Sequence, residues 1–274
     1  MRDVAFGQYY PAKSFVHRLD PRTKILFLIA YIVAIFLGDN FYALGACAFM
    51  FLLIAIFSRV PFKSLLRSVK AVIFLLVFMS VLNLLLFDGG TPLYDLPKPW
   101  RWLIITDRAL YNASFLAVRL LLLVLGSALL TLTTTPVSLA DGIESLLKPL
   151  KLLHFPVHEL ALIISIALRF IPILTDETGR IMNAQKARGA DFESGNFVKR
   201  IKALLPILIP LLISAFRRAD ELGDAMDARC YSGSKKRTKY KKLTYGWRDL
   251  LAAVLAAALL AAIILLKIYT LALV

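Results

Sequence analysis

Apolar runs separated by short polar segments dominate the chain, and their lengths indicate helices in a membrane. Five runs are predicted to span it: residues 25–37, 41–57, 71–87, 109–132 and about 250–274. A spanning α-helix needs roughly 20 mostly apolar residues, so the first run spans only with help from its flanking residues. The pattern predicts an all-α, polytopic membrane protein with about five transmembrane helices.

The middle of the chain, residues 133–247, is charged yet rich in leucine and isoleucine, and it predicts about three amphipathic helices. Residues 136–154 open with a proline and carry apolar positions at helical spacing, which favours a short helix. Residues 157–188 and 197–229 each place a short apolar stretch before a charged one. Apolar stretches of about 10–14 residues are typical of interfacial or buried segments, so both helices are expected to touch the membrane and project from it. Two prolines four residues apart argue against a plain straight helix in the second.

The positions of lysine and arginine predict an orientation. They cluster before the first run and between the second and third, and both clusters are expected on the cytoplasmic side. Their members are Lys13, Arg18, Arg22 and Lys24, and Arg59, Lys63, Arg67 and Lys70. The third run then leaves the cytoplasm and the fourth returns, which leaves the C-terminus outside. Three regions result: an N-terminal transmembrane part (1–132), a cytoplasmic module (133–247) and a C-terminal transmembrane helix (248–274).

The composition supports a membrane protein and argues against a nucleic-acid-binding one. Of 274 residues, 59% are hydrophobic, whereas soluble domains contain about 45–50% apolar residues. Lysine and arginine outnumber aspartate and glutamate by 33 to 18, and they lie mainly between apolar runs, where they suit anionic lipid headgroups. No secretory signal is expected in the first two dozen residues. Two cysteines, Cys47 and Cys230, support neither a metal cluster nor a disulfide framework.

Two charged segments end with the same Ala-Arg pair, at Arg188 in QKARGADFESG and at Arg229 in MDARCYSGS. Aligning the arginines also aligns alanines one and four positions earlier: Ala187 with Ala228, and Ala184 with Ala225. Residues four apart share a helix face. Small side chains allow another surface to approach closely, and a guanidinium offers a planar donor array to a carboxylate on that surface.

A simpler interpretation explains either end taken singly. Each arginine would complement the negative end of its helix dipole, an effect of about 0.3–1 kcal/mol, and Gly189 would be the left-handed cap. The duplication changes this balance, because two matching ends on one membrane protein indicate two matching sites on partners. The pattern therefore favours a docking protein.

Several segments resemble one family, the transmembrane (T) component of energy-coupling factor (ECF) transporters, of the CbiQ-like type. The similarity is carried by residues 7–26 (GQYYPAKSFVHRLDPRTKIL), 132–151 (LTTTPVSLADGIESLLKPLK), 158–177 (HELALIISIALRFIPILTDE), 184–191 and 214–231. ECF transporters are modular ABC importers that take up vitamins and trace metals in prokaryotes. The resemblance covers most of the chain.

The resemblance implies a scaffold that holds two cytosolic ATPases and one exchangeable, membrane-embedded substrate-binding (S) component in a heterotetramer with one copy of this chain. In the family, two coupling helices each end in an Ala-Arg-Gly motif that docks on one ATPase. The corresponding residues here are Ala187, Arg188 and Gly189, with Ala184 beside them, and Ala228, Arg229 and Cys230, with Ala225. Cys230 departs from the family glycine, and a residue with a Cβ is disfavoured by roughly 1–2 kcal/mol if its backbone is left-handed.

The resemblance also carries expectations about the remaining surfaces. The S component is expected to contact the apolar face near residues 197–216, at Leu204, Leu205, Pro206, Ile209, Pro210 and Ile213. No cofactor, metal or catalytic residue is expected in this chain, with ATP and Mg²⁺ bound by the partner ATPases. The expected location is the bacterial cell membrane, with a cytoplasmic N-terminus and an extracellular C-terminus.

Isolated charged residues have structural interpretations. Arg119 and Arg169 lie inside apolar stretches, where ionisable side chains usually face protein or water. The family resemblance favours structural pairing or contact with the coupling region over a role in a transport path, with Glu144, Glu159, Asp176 and Glu177 as candidate partners. Arg18, Asp20 and Arg22 form a charged cluster expected to anchor the membrane entrance, and Asp20-Pro21 predicts a helix start with a capping aspartate.

Two other functions remain open. A conventional ABC importer permease would carry its own substrate path, but it predicts a single coupling loop per subunit, and the two arginine ends argue against it. An integral membrane enzyme that modifies lipids would need clustered carboxylates or histidines at a membrane face. The sequence shows no such cluster and no phosphate-binding loop of the GxxxxGKS/T type, so the chain is not expected to hydrolyse ATP.

Overall fold

The structure is a computed structural model that describes residues 9–86, 106–149, 157–190, 192, 197–231 and 243–272. Within these ranges a short 3₁₀ turn, Val16–Arg18, precedes eight α-helices. These are α1 (Pro21–Leu37), α2 (Phe41–Ser58), α3 (Phe62–Leu86), α4 (Asp107–Thr133), α5 (Pro136–Leu146), α6 (Val157–Ala187), α7 (Phe197–Ala228) and α8 (Trp247–Ala272). The predicted all-α membrane fold is confirmed.

Among the described residues, three helices are long and apolar enough to cross a membrane: α2, α4 and α8. Helix α3 is a fourth if its two parts, Phe62–Lys70 and Val72–Leu84, form one span despite a bend of 56° between them. Helix α1 has 17 residues, about 26 Å of length, which falls short of the roughly 30 Å hydrocarbon core. A fifth span at α1 stays a prediction.

Helix α3 begins earlier than the hydropathy pattern predicts. The basic residues from Lys63 to Lys70 were expected in a connection, but they form the first part of the helix, before the bend. The apolar run marks only the part that can enter the hydrocarbon. Lysine and arginine are good helix formers, so the helix continues into the polar region.

The larger of two compact units lies within Gly7–His154 and Leu243–Val274. Helix α1 is central to it and packs against α2, α4, α5 and α8, and α3 packs against α4. The core includes Ile35, Leu44, Cys47 and Ile263, all fully buried. At the α1–α4 contact, a Cβ added to Gly126 would lie 2.7 Å from a ring carbon of Tyr31, so only glycine allows this approach.

Side-chain caps define where the helices of this unit begin. The Asp20 carboxylate accepts a hydrogen bond of 2.9 Å from the backbone N–H of Arg22, and Pro21 occupies the first helical position. This confirms the predicted helix start. Thr135 caps α5 in the same way, ahead of Pro136, because a side-chain oxygen satisfies an N–H that has no partner within the helix.

A buried polar cluster joins the start of α1 to the start of α8. The Asp249 carboxylate accepts from the backbone N–H of Asp20 at 2.8 Å and from that of Gly246 at 2.7 Å. The Lys24 ammonium donates to the carbonyl of Thr133 at 2.9 Å, with longer contacts to Thr134 and His17. Residues far apart in sequence are thus held together by paired, buried polar groups.

The described part of the second compact unit lies within Phe155–Lys242 and contains α6 and α7, which pack against each other. Helix α7 continues through Pro206 and Pro210, and α6 through Pro172. Each proline removes one backbone hydrogen bond, yet neither helix ends there. Helix α5 belongs to the larger unit, so the structural division falls after residue 154, whereas the functional division predicted from sequence falls after residue 132.

Candidate docking sites at two helix ends

Helix α6 ends in a hydrogen-bonded turn centred on Gly189. The backbone N–H of Ala190 donates to the carbonyl of Gln185 at 3.0 Å, and that of Gly189 donates to the carbonyl of Lys186 at 3.0 Å. Gly189 has a left-handed φ of +86°. This pair of bonds with a left-handed residue defines the Schellman motif, and the predicted glycine cap is confirmed.

Helix α7 ends in the same motif without a glycine. The N–H of Tyr231 donates to the carbonyl of Met226 at 3.0 Å, and that of Cys230 donates to the carbonyl of Asp227 at 2.8 Å. Cys230 has a φ of +55°. The position is therefore left-handed, and its Cβ carries the conformational cost of roughly 1–2 kcal/mol that a glycine avoids.

Arg188 and Arg229 therefore occupy the same position, immediately before the left-handed residue of each motif. Both side chains are exposed, as are the alanines aligned with them, Ala184, Ala187, Ala225 and Ala228. An exposed guanidinium beside side chains that stop at Cβ lets a partner surface come close to the helix end. The arrangement suits a carboxylate on that surface, which a guanidinium binds with two parallel hydrogen bonds.

The charge next to the two ends differs. Lys186 lies in the last turn of α6, whereas α7 carries exposed Asp224 and Asp227 in its last two turns. The α6 end is thus more positive than the α7 end. The two ends share backbone geometry and the terminal arginine, but they present different electrostatic surroundings.

An ion pair connects the two helices. The Arg218 guanidinium donates to Glu177 at 2.6 Å, and the Ser214 hydroxyl donates to the other oxygen of the same carboxylate at 2.9 Å. The hydrogen bond from Arg218, followed by that from Ser214, lowers the pKa of Glu177 below its ordinary value. Glu177 and Arg218 each lie eleven residues before the arginine that ends their helix. The contact is therefore about 16 Å along each helix from its end.

An exposed apolar face covers the first half of α7. Its large side chains recur at helical spacing: Leu204, Leu205, Leu208, Ile209, Leu212, Ile213 and Phe216. At about 100° per residue these positions share one side, whereas Ile207 is buried. The structure thus brings together four of the six residues predicted to contact an S component, and Pro206 and Pro210 lie at the margin of this face.

The isolated arginines have different surroundings. Arg119 donates to the backbone carbonyl of Gly38 at 2.6 Å, and its guanidinium lies 4.6 Å from the ring centroid of Phe115. Gly38 follows the last residue of α1, where a cation complements the helix dipole. The contact found is with a carbonyl and a ring, where the sequence predicts a carboxylate. Arg169 is an exposed residue of α6, and Arg18 is exposed at the end of the 3₁₀ turn.

Arg22 lies in the polar cluster at the start of α1. Its guanidinium donates to the carbonyl of Leu243 at 3.4 Å, lies 3.8 Å from an Asp20 oxygen and stands over the ring of Tyr245. The sequence interpretation of Arg18, Asp20 and Arg22 as one cluster did not include Asp249. Its position in the first turn of an apolar helix gave only a weak signal, because acidic residues are common there.

The comparisons with known proteins cover most of the chain. Residues 12–240 match a family model described as "Cobalt transport protein". Three similar proteins are named energy-coupling factor transporter transmembrane protein EcfT. That of Thermosediminibacter oceani is 47% identical over 261 residues, which cover 95% of this chain and 96% of the relative. That of Clostridium kluyveri is 46% identical with 98% of both covered, and that of Bacillus subtilis is 41% identical with 95% and 98% covered.

The family model covers both α6 and α7 with their terminal motifs, and the relatives align over nearly the whole chain. Because identity exceeds 40% at this coverage, the similarity to these relatives extends over both the membrane helices and the two arginine ends. The chain belongs to the family of energy-coupling factor transporter transmembrane proteins, EcfT.

Proposed function

We propose that this chain is the scaffold and energy-coupling subunit of an ECF-type ABC importer, in which it joins two cytosolic ATPases to one exchangeable S component for uptake of a vitamin or a trace metal. One observation carries the proposal. Two packed helices end in the same hydrogen-bonded motif, and each motif exposes an arginine at the same position.

Each arginine end docks on one ATPase in this proposal. Arg188 and Arg229 are exposed in the isolated chain, so docking would bury them against carboxylates on the ATPases. Removing one partner of a buried charged pair typically costs about 2–5 kcal/mol, much of it because the other charge is left unpaired. The alanines beside each arginine allow the close approach that such burial requires.

The ion pair between α6 and α7 transmits the movement. ATP-driven closure brings the two ATPases together, and the helix ends docked on them follow. Because Glu177 and Arg218 join the helices at equal distances from the two ends, displacement of either end is passed to the other helix. The apolar face of α7 then reorients the S component, whose membrane-embedded surface it suits.

The remaining assignments complete the proposal. ATP and Mg²⁺ are bound by the partner ATPases, and this chain contributes no catalytic residue, cofactor or metal site. It occupies the bacterial cell membrane with its N-terminus in the cytoplasm and its C-terminus outside. One copy assembles with the three partners as a heterotetramer, and the S component selects the substrate.

The test is the double charge reversal Arg188→Glu and Arg229→Glu in the full chain, co-expressed with both ATPases and an S component. Repulsion between the new carboxylates and the acidic sites should abolish co-purification of the ATPases and substrate uptake. The S component should still co-purify, because its contact face lies on the first half of α7.

The matched control reverses two exposed arginines on the same helices, Arg180→Glu and Arg217→Glu. This variant should retain both ATPases, since its arginines are not at the helix ends. If the ATPases remain bound to the chain with Arg188 and Arg229 reversed, or are lost equally from the control, the docking assignment is wrong.

A further inference from the structure

The larger unit contains a partly open apolar cavity of about 490 Å³. It lies among the 3₁₀ turn, α1, α2, α4 and α8, and its inner wall includes the buried side chains of Met50, Phe51 and Leu129. Protein interiors are close-packed and contain few voids larger than a water molecule. A space of this size, if empty, would leave its wall without packing partners.

The cavity opens towards the bilayer. Phe57 on α2 and Leu251 and Leu255 on α8 line it and are 60%, 41% and 39% exposed. Both helices are membrane-spanning by length and composition, so side chains exposed on their outer surfaces face lipid. A hydrocarbon chain in the bilayer can therefore enter between α2 and α8 without crossing a polar region.

An aromatic and cationic group stands beside the cavity where α8 begins. Phe15 lines the cavity and meets Trp247 edge to face, with ring centroids 6.0 Å apart. The Arg248 guanidinium lies 5.7 Å from the Phe15 ring and 5.8 Å from that of Trp247. Tryptophan and arginine are typical of the headgroup level of a membrane, and a guanidinium matches a phosphate in charge and geometry.

The one charged side chain in the described part of the wall already has its partners. The Lys24 ammonium faces the oxygens of Thr133, Thr134 and His17, so its donors are already used. Tyr31 is buried, and its hydroxyl has no hydrogen-bond partner among the described residues. Tyr31 lies seven residues along α1 from Lys24, about 10 Å deeper. Apart from this one hydroxyl, the inner wall is apolar and includes Met50, Phe51 and Leu129, so it suits hydrocarbon.

We propose that this cavity is a binding site for one acyl chain of a membrane phospholipid, whose phosphate lies at Arg248. The apolar wall, the lateral opening between α2 and α8, and the guanidinium beside the entrance together match an amphiphile with an anionic head. Annular lipids contact only the outer surface of the bundle, whereas the acyl chain in this site reaches side chains buried among four helices.

The site can be tested by photocrosslinking in vesicles. The full-length protein is reconstituted in phosphatidylcholine with a small fraction of phosphatidylglycerol that carries a diazirine near the end of one acyl chain. Labelled residues are then identified by mass spectrometry. The proposal predicts label on Met50, Phe51 and Leu129, which bulk lipid does not reach, in addition to label on Val254, an exposed α8 residue that does not line the cavity.

Filling the cavity should remove the inner label selectively. Ala252 is buried and lines the cavity, and its neighbour Ala253 is exposed. Ala252→Phe should lower the ratio of inner label to Val254 label by about tenfold, and Ala253→Phe should leave the ratio unchanged. If Ala252→Phe fails to fold, Leu255→Trp tests the same point. It blocks the entrance at the exposed rim without disturbing the core, and it should also lower the ratio of inner label to Val254 label.

Two further variants distinguish the parts of the ligand. Arg248→Gln should lower the ratio by about tenfold, since it removes a charge-assisted contact to phosphate. Tyr31→Phe should leave the ratio unchanged, because an acyl chain has no atom to pair with the hydroxyl. Label confined to Val254, equal ratios in the Ala252 and Ala253 variants, or loss of inner label in Tyr31→Phe would each overturn the acyl-chain site.

Discussion

At the scale of single residues, the ends of α6 and α7 have the same backbone form but a different residue type at the left-handed position. Gly189 and Cys230 adopt the same left-handed conformation within the same pair of hydrogen bonds. A Cβ added to Gly189 would meet no atom within 4 Å, so the conformation itself disfavours larger residues there. The two motifs therefore provide an internal comparison between glycine and a residue with a Cβ.

Cys230→Gly should stabilise the end of α7. Relief of the left-handed conformation contributes about 1–2 kcal/mol, and the greater freedom of glycine in the unfolded chain offsets roughly half of it. Amide hydrogen exchange at Tyr231, whose N–H closes the motif, should slow by a factor of about 3–5. Gly189→Ala should speed exchange at Ala190 by a similar factor, and equal rates in both pairs would contradict the assigned strain.

At the scale of helices, the charged halves of α6 and α7 are joined by side chains that are only partly buried. Ser214 and Arg218 both donate to Glu177. Because the pKa of Glu177 is lowered, its contribution to stability is fully present above the ordinary carboxyl pKa. That contribution is lost only when the pH falls through the lowered value. The contact thus persists throughout the physiological range.

In the assembly proposed above, Glu177→Gln should separate docking from energy coupling. The amide keeps the size of the side chain but replaces a charged acceptor of two hydrogen bonds with a neutral group that has a single acceptor oxygen. We expect the ATPases to co-purify as before, because the helix ends are unchanged, and uptake per ATP hydrolysed to fall severalfold. Asp176→Asn, on an exposed neighbour, is the control. Unchanged uptake in Glu177→Gln would show that the ion pair carries no movement.

The same two helices show how much the sequence predicts. Periodicity placed the ends of α6 and α7 within one residue, because caps and apolar spacing are local properties. The partner of Glu177 was not predicted. The sequence suggested Glu177 as a partner for Arg119 or Arg169, whereas in the structure Glu177 pairs with Arg218. Which of many charges meet depends on helix packing, and no local pattern encodes that. The contact between Arg119 and the Gly38 carbonyl was not predicted for the same reason.

At the scale of the whole molecule, the larger unit is closed by contacts between the beginning and the end of the chain. Asp249 accepts two backbone hydrogen bonds, one of them from Asp20, and it is buried. The hydropathy pattern identified α1 and α8 separately, but it contained no signal that their first turns meet. The cluster therefore belongs to the part of the fold that only the three-dimensional arrangement reveals.

Asp249→Asn should destabilise the larger unit, because the amide group leaves one buried N–H without an acceptor at a cost of about 1–3 kcal/mol. The measurement is the midpoint temperature at which Cys47 becomes reactive to a thiol-reactive dye on heating, in a Cys230→Gly background where Cys47 is the single thiol. We expect Asp249→Asn to lower this midpoint temperature by several degrees. Asp39→Asn, which breaks an exposed ion pair with Lys267, should have little effect. Equal shifts would contradict the role of the cluster.

The Schellman ends have a consequence for how such a protein can change over evolutionary time. The two hydrogen bonds that define the motif at each end lie within six consecutive residues, so the form of each end is set by its own backbone. We therefore expect most substitutions in the transmembrane bundle to leave the two motifs intact, and substitutions in the motifs to leave the bundle intact. The two helix ends and the part embedded in lipid can therefore diversify independently, each adapting to its own neighbours.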